Sequence, residues 1–276
     1  MGTADLVPGV SGGTIALVVG IYERLVRSVR EASSALGALV KIEGASVREH
    51  LRQVEWRLVV PLLLGIIAAV VGLAGLIEHQ LEVRPTVMAG LFLGLVVLSV
   101  VVAWRRVRSP DARHWLIAAA VALGLFVILG IGDSGFIQSP ALLFFAGAGA
   151  LAVCAMILPG ISGSLILVMI GMYGPVIGAV ADRDLAVIAV FVAGAVIGLS
   201  LFSQALHWAL EHHHDDVMAG LVGLMAGSVR VLWPWPDGVA GSELAPPGAD
   251  LAAVVVAAAV GASIVWLIAR LAPDTA

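Results

Sequence analysis

The sequence predicts an all-α integral membrane protein built from two inverted repeats, each a re-entrant helical hairpin followed by three transmembrane helices. Three observations predict this fold. Hydrophobic residues make up 61% of the chain and charged residues only 12%, about half the charged share of a soluble domain. One motif occurs twice, and a second, shorter motif also recurs. The apolar segments between these motifs are long enough to cross a membrane, and the mean hydropathy of the whole chain is +1.07.

The motif that organises the chain runs over residues 8–14 as PGVSGGT and returns over residues 159–164 as PGISGS. At this offset of 151 positions, seven of the fifteen residues from 8 to 22 have an identical partner. Each copy is a Pro-Gly turn followed by small hydroxyl residues and an uncharged apolar run, which indicates a turn that opens a buried helix. A simple glycine–proline kink in a membrane helix is the alternative, but a kink need not recur with its hydroxyls in place.

The first repeat is predicted over residues 1–133. Its motif and one outgoing helix occupy residues 6–26. Residues 28–57 are rich in charge and predict two short amphipathic helices on the membrane surface, with a solvated linker as the alternative. Three apolar runs predict its spans: 58–77, 86–104 and 115–131. The second motif follows a long apolar arm that the first copy mostly lacks, so we expect a truncated N-terminal arm.

The second repeat is predicted over residues 140–276. Residues 140–181 are apolar and broken inside the motif. We interpret them as a re-entrant hairpin with its tip at residues 159–164, although two full spans would also fit. Three further spans are predicted: 185–210, 217–233 and 251–269. The sequence VMAGL at 87–91 recurs at 217–221, which supports a hairpin and three spans in each half. An odd number of spans inverts the second half, as in many secondary transporters.

Basic residues predict the orientation in the membrane. With the 24–57 loop in the cytoplasm, twelve of the fifteen lysine and arginine residues fall inside. The exceptions are Arg84, Arg183 and Arg230. This distribution satisfies the positive-inside rule. A net charge of −4 without a basic tract argues against a nucleic-acid partner, and the single Cys154 excludes a disulfide framework.

The two motif tips predict an anion site. A helix N-terminus offers unpaired N–H groups and the positive end of the helix dipole, glycines let a ligand approach closely, and hydroxyls add donors. Two facing tips near the membrane midplane would suit a phosphate group. The residues expected to bind it are Gly9, Ser11, Gly12, Gly13, Thr14, Gly160, Ser162, Gly163 and Ser164. Arg24 is interpreted as a residue flanking the membrane, with a phosphate contact as the alternative. We expect no catalytic residue, metal site or cofactor.

Asp5 is the residue that we expect to couple transport to an ion. It lies three residues before the first tip in an apolar arm, and acidic residues inside membranes usually have a functional role. The coupling ion would be a proton or sodium. The alternative is that Asp5 only caps or solvates a chain start.

The first motif and its neighbours resemble a known family. Residues 2–17, GTADLVPGVSGGTIAL, followed by GIYERL at 20–25, look like the signature of the bacterial undecaprenyl-phosphate translocases, the PopT family. Residues 158–164, with GMYG at 171–174, are similar to its second signature. The resemblance covers the chain apart from the N-terminal arm. It implies a flippase in the bacterial plasma membrane that returns undecaprenyl phosphate, the lipid carrier of cell-wall sugars, from the outer to the inner leaflet.

Two other functions are weighed against this one. Undecaprenyl-pyrophosphate phosphatases also have inverted repeats and a Pro-Gly-x-Ser turn. They place an arginine beside that serine, where this chain has Gly12 and Gly163, and they need a glutamate-rich partner motif. Without a base or a cationic clamp, phosphoryl transfer has little support. An anion channel would share the Gly/Ser helix tips.

Two further patterns receive structural interpretations. Residues 211–216, EHHHDD, could bind a metal, but we interpret them as a polar cytoplasmic turn. Three glycine pairs have GxxxG spacing, which predicts close helix packing within the fold, with a homo-oligomer interface as the alternative. These pairs are Gly90/Gly94, Gly194/Gly198 and Gly223/Gly227.

Overall fold

The computed structural model describes residues 1–5, 10–40, 42–131, 140–236, 238–239 and 243–272. Within these residues all regular secondary structure is helical, which confirms the all-α prediction. The α-helices α1 to α13 span, in order, Gly2–Asp5, Gly12–Val19, Tyr22–Val40, Gly44–Gln53, Trp56–Val83, Pro85–Trp104, Ala112–Ile128, Leu142–Ile157, Gly163–Met169, Tyr173–Ala181, Leu185–His212, His214–Ser228 and Leu251–Leu271. A 3₁₀ turn over Val229–Leu232 extends α12.

Among the described residues, four helices are long and apolar enough to cross a membrane: α5, α6, α11 and α13. They contain four of the six predicted spans. The other two correspond to α7, with 17 residues, and α12, with 15 residues, which are shorter than the roughly 20 residues that a typical bilayer needs. Two acids, Asp215 and Asp216, occupy the first turn of α12, and its last turn continues only as the 3₁₀ turn.

The segment that we predicted to be a re-entrant hairpin, residues 140–181, is more sharply broken than expected. Its two arms, α8 and α9, pack against each other, but α9 ends after seven residues and α10 leaves at an angle of 110°. Gly171 makes this bend in the left-handed conformation, with φ of 69°. The equivalent Gly20, with φ of 82°, ends α2 in the same way. The prediction of a single helix through residue 26 is therefore wrong. In both copies the chain turns at a glycine in the left-handed conformation, which glycine adopts without strain and which ends the helix.

The charged segment after the first motif forms two helices, α3 and α4, as predicted, and is not a solvated linker, but α3 has 19 residues and begins at Tyr22, before the predicted segment. One face of α3 packs against α11, so this helix is also part of the helical bundle. Ser33 Oγ lies 3.3 Å from Ser203 Oγ in this contact. Glu31 is only 4% exposed and lies 2.8 Å, measured from Oε2, from Nδ1 of His50 on α4.

Three close helix pairs hold the bundle together: α6 with α13, α7 with α12, and α8 with α11. Glycines make each approach possible. A Cβ at Gly94 would collide with the carbonyl oxygen of Ala258, and one at Gly194 would collide with that of Ala146. At Gly223 a Cβ would lie 2.5 Å from the carbonyl oxygen of Ala118. The predicted role of the GxxxG pairs in packing within the fold is confirmed.

Candidate functional site

The two motif tips touch each other. Ser11 Oγ donates to the carbonyl oxygen of Leu158 at 3.1 Å, and the backbone N–H of Gly160 donates to Thr14 Oγ1 at 3.1 Å. Gly13 packs so closely that a Cβ there would lie 2.8 Å from the carbonyl oxygen of Ile157. The prediction that the tips lie close together is confirmed. Gly9, also predicted for this site, lies outside the described residues.

The described part of the first tip, residues 10–14, is buried, and its hydroxyls are used in this contact. Ser11 precedes α2 with extended backbone, at φ of −130°, but its hydroxyl reaches across to the second tip instead of capping its own helix. Ser11 is 2% exposed and Thr14 is fully buried. Both side chains therefore position the second hairpin, which explains why small hydroxyl residues are needed here.

Asp5 lies at the N-terminus of α2. Its Oδ1 accepts a hydrogen bond from the backbone N–H of Gly12 at 2.6 Å. A Cβ on residue 12 would lie 2.7 Å from the other carboxylate oxygen, so the contact depends on glycine at that position. The carboxylate thus interacts with the positive end of the α2 dipole.

The second tip differs from the first because its hydroxyls are accessible. Ser162 Oγ and Ser164 Oγ lie 2.7 Å apart, Ser164 is exposed and Ser162 is partly exposed. Gly163 between them is buried, and a Cβ there would lie 2.8 Å from the carbonyl oxygen of Ala152. Gly160 turns the chain at φ of 83° directly against the backbone of Met225 on α12. This arrangement presents a pair of hydroxyls beside the first turn of α9.

Arg24 forms an ion pair with Glu55, in which its Nε donates to Oε2 at 2.9 Å. A different arginine, Arg106, contacts the end of α2, the helix that follows the first motif. Its Nη2 lies 3.5 Å from the carbonyl oxygen of Val18 and fills the space beside Gly20. A cation is favourable there because it faces the negative end of α2. Sequence spacing did not indicate this contact, since the two residues are 88 positions apart.

The polar run at residues 211–216 joins several segments at one end of the bundle. His214 Nε2 lies 3.0 Å from Glu23 Oε1, and its Nδ1 lies 2.8 Å from Asp215 Oδ1. Asp215 also accepts hydrogen bonds from the backbone N–H groups of Arg108 and Ser109 at 3.0 and 2.9 Å. Among the described residues, no three His, Cys, Asp or Glu side chains converge to hold a metal ion. The run forms ion pairs between helices.

An apolar groove of about 410 Å³ lies between α6, α7 and α12. It is lined mostly by small and aliphatic residues and by two tryptophans, Trp104 and Trp115, whose ring centroids lie 3.9 Å apart. α12 borders both this groove and, through Met225, the second tip.

Comparisons with known proteins agree on one family. A family model named VCA0040-like and described as undecaprenyl phosphate translocase-like matches residues 1–244. A polyprenyl-phosphate transporter of Vibrio cholerae serotype O1 is 40% identical over 244 residues, which cover 86% of this chain and 76% of the relative. A polyprenyl-phosphate transporter of Staphylococcus aureus is 26% identical over 250 residues, which cover 85% and 83%. No solved structure matches the chain.

Proposed function

This chain belongs to the undecaprenyl phosphate translocase-like family, and on that basis we propose that it is a flippase for undecaprenyl phosphate. It returns this lipid from the outer to the inner leaflet of the bacterial plasma membrane, where the carrier is used again for cell-envelope polymers. The observation that carries the proposal is the contact between the two motif tips. The hydroxyls of Ser162 and Ser164 stay accessible beside this contact.

The phosphate headgroup binds at the joined tips. Ser162 and Ser164 are its first contacts, because their hydroxyls are accessible. Backbone N–H groups at Gly12, Gly13 and Gly163 complete the headgroup site, whereas the N–H of Gly160 is already bonded to Thr14. Arg24 enters the site only if it leaves Glu55. Neutral donors suit a transporter, which must release its ligand as well as bind it.

The polyprenyl tail lies in the apolar groove between α6, α7 and α12. A branched isoprenoid chain packs well against small side chains, and the tryptophans at one end have the amphipathic rings typical of membrane interfaces. Since α12 borders both the groove and the second tip, one helix would contact both the tail and the headgroup.

The proposed fold consists of two inverted repeats, over residues 1–133 and 140–276. α6 pairs with α13 and α12 pairs with α7, so each half provides the partner of the other. The chain just after α6 bonds to Asp215 at the start of α12, and Pro85 at the start of α6 lies beside Gly238, beyond α12. The VMAGL repeat makes α6 and α12 equivalent helices. Their opposite directions are what an inverted repeat requires.

The polar end of the bundle faces the cytoplasm. At this end the 211–216 run contacts α3 through His214–Glu23 and the loop after α6 through Asp215–Arg108, and the pair Arg24–Glu55 joins the two ends of the 24–57 loop. Most of the basic residues belong to these segments, so the positive-inside rule sets the orientation.

Ion coupling makes inward transport favourable. A phosphate monoester carries roughly −1.5 to −2 charges at neutral pH. Against a negative-inside potential, each charge costs about 2.3 kcal/mol per 100 mV, so two charges cost about 4–5 kcal/mol. A proton or sodium ion that travels with the lipid offsets this cost. Asp5 is the proposed coupling residue, because its carboxylate lies directly at the first tip.

Reconstituted transport tests the proposal. We expect purified protein in liposomes to move undecaprenyl phosphate between leaflets and to release no inorganic phosphate from undecaprenyl pyrophosphate. The double variant Ser162→Ala/Ser164→Ala should bind the lipid at least about tenfold more weakly, since a hydrogen bond to a charged group contributes about 1.5–3 kcal/mol. Ser263→Ala is the matched control, because that exposed hydroxyl bonds only to its own helix, at Ala259.

Two results would contradict the proposal. Wild-type affinity in the double variant would remove the serines from the headgroup site. Phosphate release that is lost in Ser162→Ala would instead indicate a phosphatase.

A further inference from the structure

The first tip already holds an anion that belongs to the protein. The carboxylate of Asp5 accepts the Gly12 N–H at 2.6 Å, at the positive end of the eight-residue helix α2. A bound phosphate would seek the same N–H group and the same dipole. Asp5 therefore occupies the place that the ligand needs on this side of the site.

The hydroxyls at the first tip are also engaged. Ser11 donates to the carbonyl oxygen of Leu158, and Thr14 accepts from the N–H of Gly160. At the second tip, by contrast, Ser162 and Ser164 bond to each other and remain accessible. The two tips are therefore unequal, although their sequences are related.

We infer that Asp5 is a resident anion, a carboxylate that competes with the phosphate monoester of the substrate for the N-terminus of α2. This inference rests on the proposed function and adds a positioning and gating role for one residue. The phosphate meets the second tip first and engages the first tip only when the Asp5 carboxylate is displaced or protonated. Two negative groups at one helix end repel each other, so protonation and phosphate binding favour each other.

Few other charged groups face Asp5, so its effect can be isolated. Its own helix, α1, carries no other ionisable side chain. Within the described residues, α1 packs on a segment of α5 that carries no ionisable side chain, lined by Pro61, Leu62, Gly65, Ile66 and Ala69. The facing part of α2 and the second tip, residues 157–164, also carry none. The ligand titrates too, with a second pKa near 6, so variants must be compared at each pH.

Binding measured against pH tests this inference. Undecaprenyl phosphate would be titrated into wild-type protein and Asp5→Asn in detergent between pH 5 and pH 9. We expect Asp5→Asn to bind about threefold to tenfold more tightly at the alkaline end, and this difference to shrink toward the acid end as the Asp5 carboxylate takes up a proton. Asp5→Glu keeps the charge and should show no gain.

A matched control is available in the second half. Asp184 lies in the connection between α10 and α11, outside both tips, and caps α11 by accepting from the N–H groups of Ala186 and Val187 at 3.1 and 3.2 Å. Asp184→Asn removes the same charge from the same kind of helix end. It should leave lipid binding unchanged at every pH.

Comparing undecaprenyl phosphate with undecaprenol and with inorganic phosphate shows which part of the ligand causes the effect. A gain for undecaprenyl phosphate without a gain for undecaprenol assigns the effect to the phosphate. A gain for inorganic phosphate alone would overturn the assignment to a lipid headgroup. Equal affinity of wild type and Asp5→Asn at every pH would overturn the inference while leaving the proposed function intact. If the wild type bound no undecaprenyl phosphate, the proposed function itself would fail.

Discussion

At the residue scale, related positions in the two tips have different roles. Ser11 and Ser162 are equivalent in the repeat, yet Ser11 is buried in a hydrogen bond to the opposite hairpin and Ser162 is accessible. Thr14 has no hydroxyl equivalent, because Leu165 occupies its place in the second copy. The buried hydroxyls align the two hairpins, and the accessible ones are available to a ligand.

Thr14→Val tests the structural role of the first tip. Valine has nearly the shape of threonine but cannot accept the Gly160 N–H, which is left unpaired in a buried position. We expect a loss of about 1–3 kcal/mol in stability, seen as a lower melting temperature in detergent. Thr14→Ser keeps the hydroxyl and should melt close to wild type. A Thr14→Val variant as stable as Thr14→Ser would show that the bond contributes little.

At the element scale, glycines set the distances between helices. Gly194 on α11 allows α8 to approach so closely that any side chain at this position meets the backbone of Ala146. Gly147, one residue further along α8, has open space where a Cβ would be. The same substitution therefore has opposite consequences at the two positions.

Gly194→Ala should destabilise the protein, by about 1–3 kcal/mol or more, because α8 and α11 must separate. Gly147→Ala should be neutral or stabilising by up to about 1 kcal/mol, since alanine favours helix and nothing obstructs it. Thermal unfolding in one detergent compares the two. Similar melting temperatures for both variants would contradict the close packing.

A large side chain in the groove between α6, α7 and α12 tests the proposed position of the polyprenyl tail. Ala119→Phe places a ring in the proposed path of the tail, whereas Ala120→Phe changes a neighbouring exposed position that does not line the groove. We expect Ala119→Phe to weaken binding of undecaprenyl phosphate about threefold to tenfold through lost van der Waals contacts, and to leave isopentenyl phosphate unaffected. Equal effects on both ligands would place the tail elsewhere.

At the scale of the whole molecule, ion pairs at the polar end connect the two halves. His214 in the second half reaches Glu23, which follows the first motif, across 191 positions. Burial raises the pKa of Asp215, but hydrogen bonds from His214 and from the N–H groups of Arg108 and Ser109 outweigh it and lower the pKa to about 2. This residue therefore ties α12 to the loop between α6 and α7.

The lowered pKa gives Asp215 a defined pH dependence. Because its pKa is lower in the folded state than in the unfolded state, its stabilising contribution is complete above the unfolded value near 3.9 and is lost as pH falls toward about 2. We expect Asp215→Asn to lower the melting temperature at about pH 5, with a difference from wild type that shrinks below about pH 4. Asp182→Asn, at an exposed position beyond α10, is the control. A difference that grows toward acid pH would contradict this sign.

The sequence by itself determined the membrane character, the helical class, the two tips and most of the spans. These features depend on composition and on residues close together in the chain, such as the Pro-Gly turns and the uncharged runs. The family resemblance came from the same local signatures and was confirmed. The break of each outgoing arm was missed, although the shared Gly20 and Gly171 were visible in the repeat.

Only the tertiary structure decided which partners these residues have. The contact of Ser11 with Leu158 joins residues 147 positions apart, and no local pattern specifies it. The same holds for Arg106 at the end of α2 and for the face of α3 that packs on α11. Asp5 was selected as an acid in an apolar arm, but its position at the N-terminus of α2 depends on how the chain folds back. Hydrogen bonds and close packing depend on distances within a few ångströms, which only the assembled fold sets.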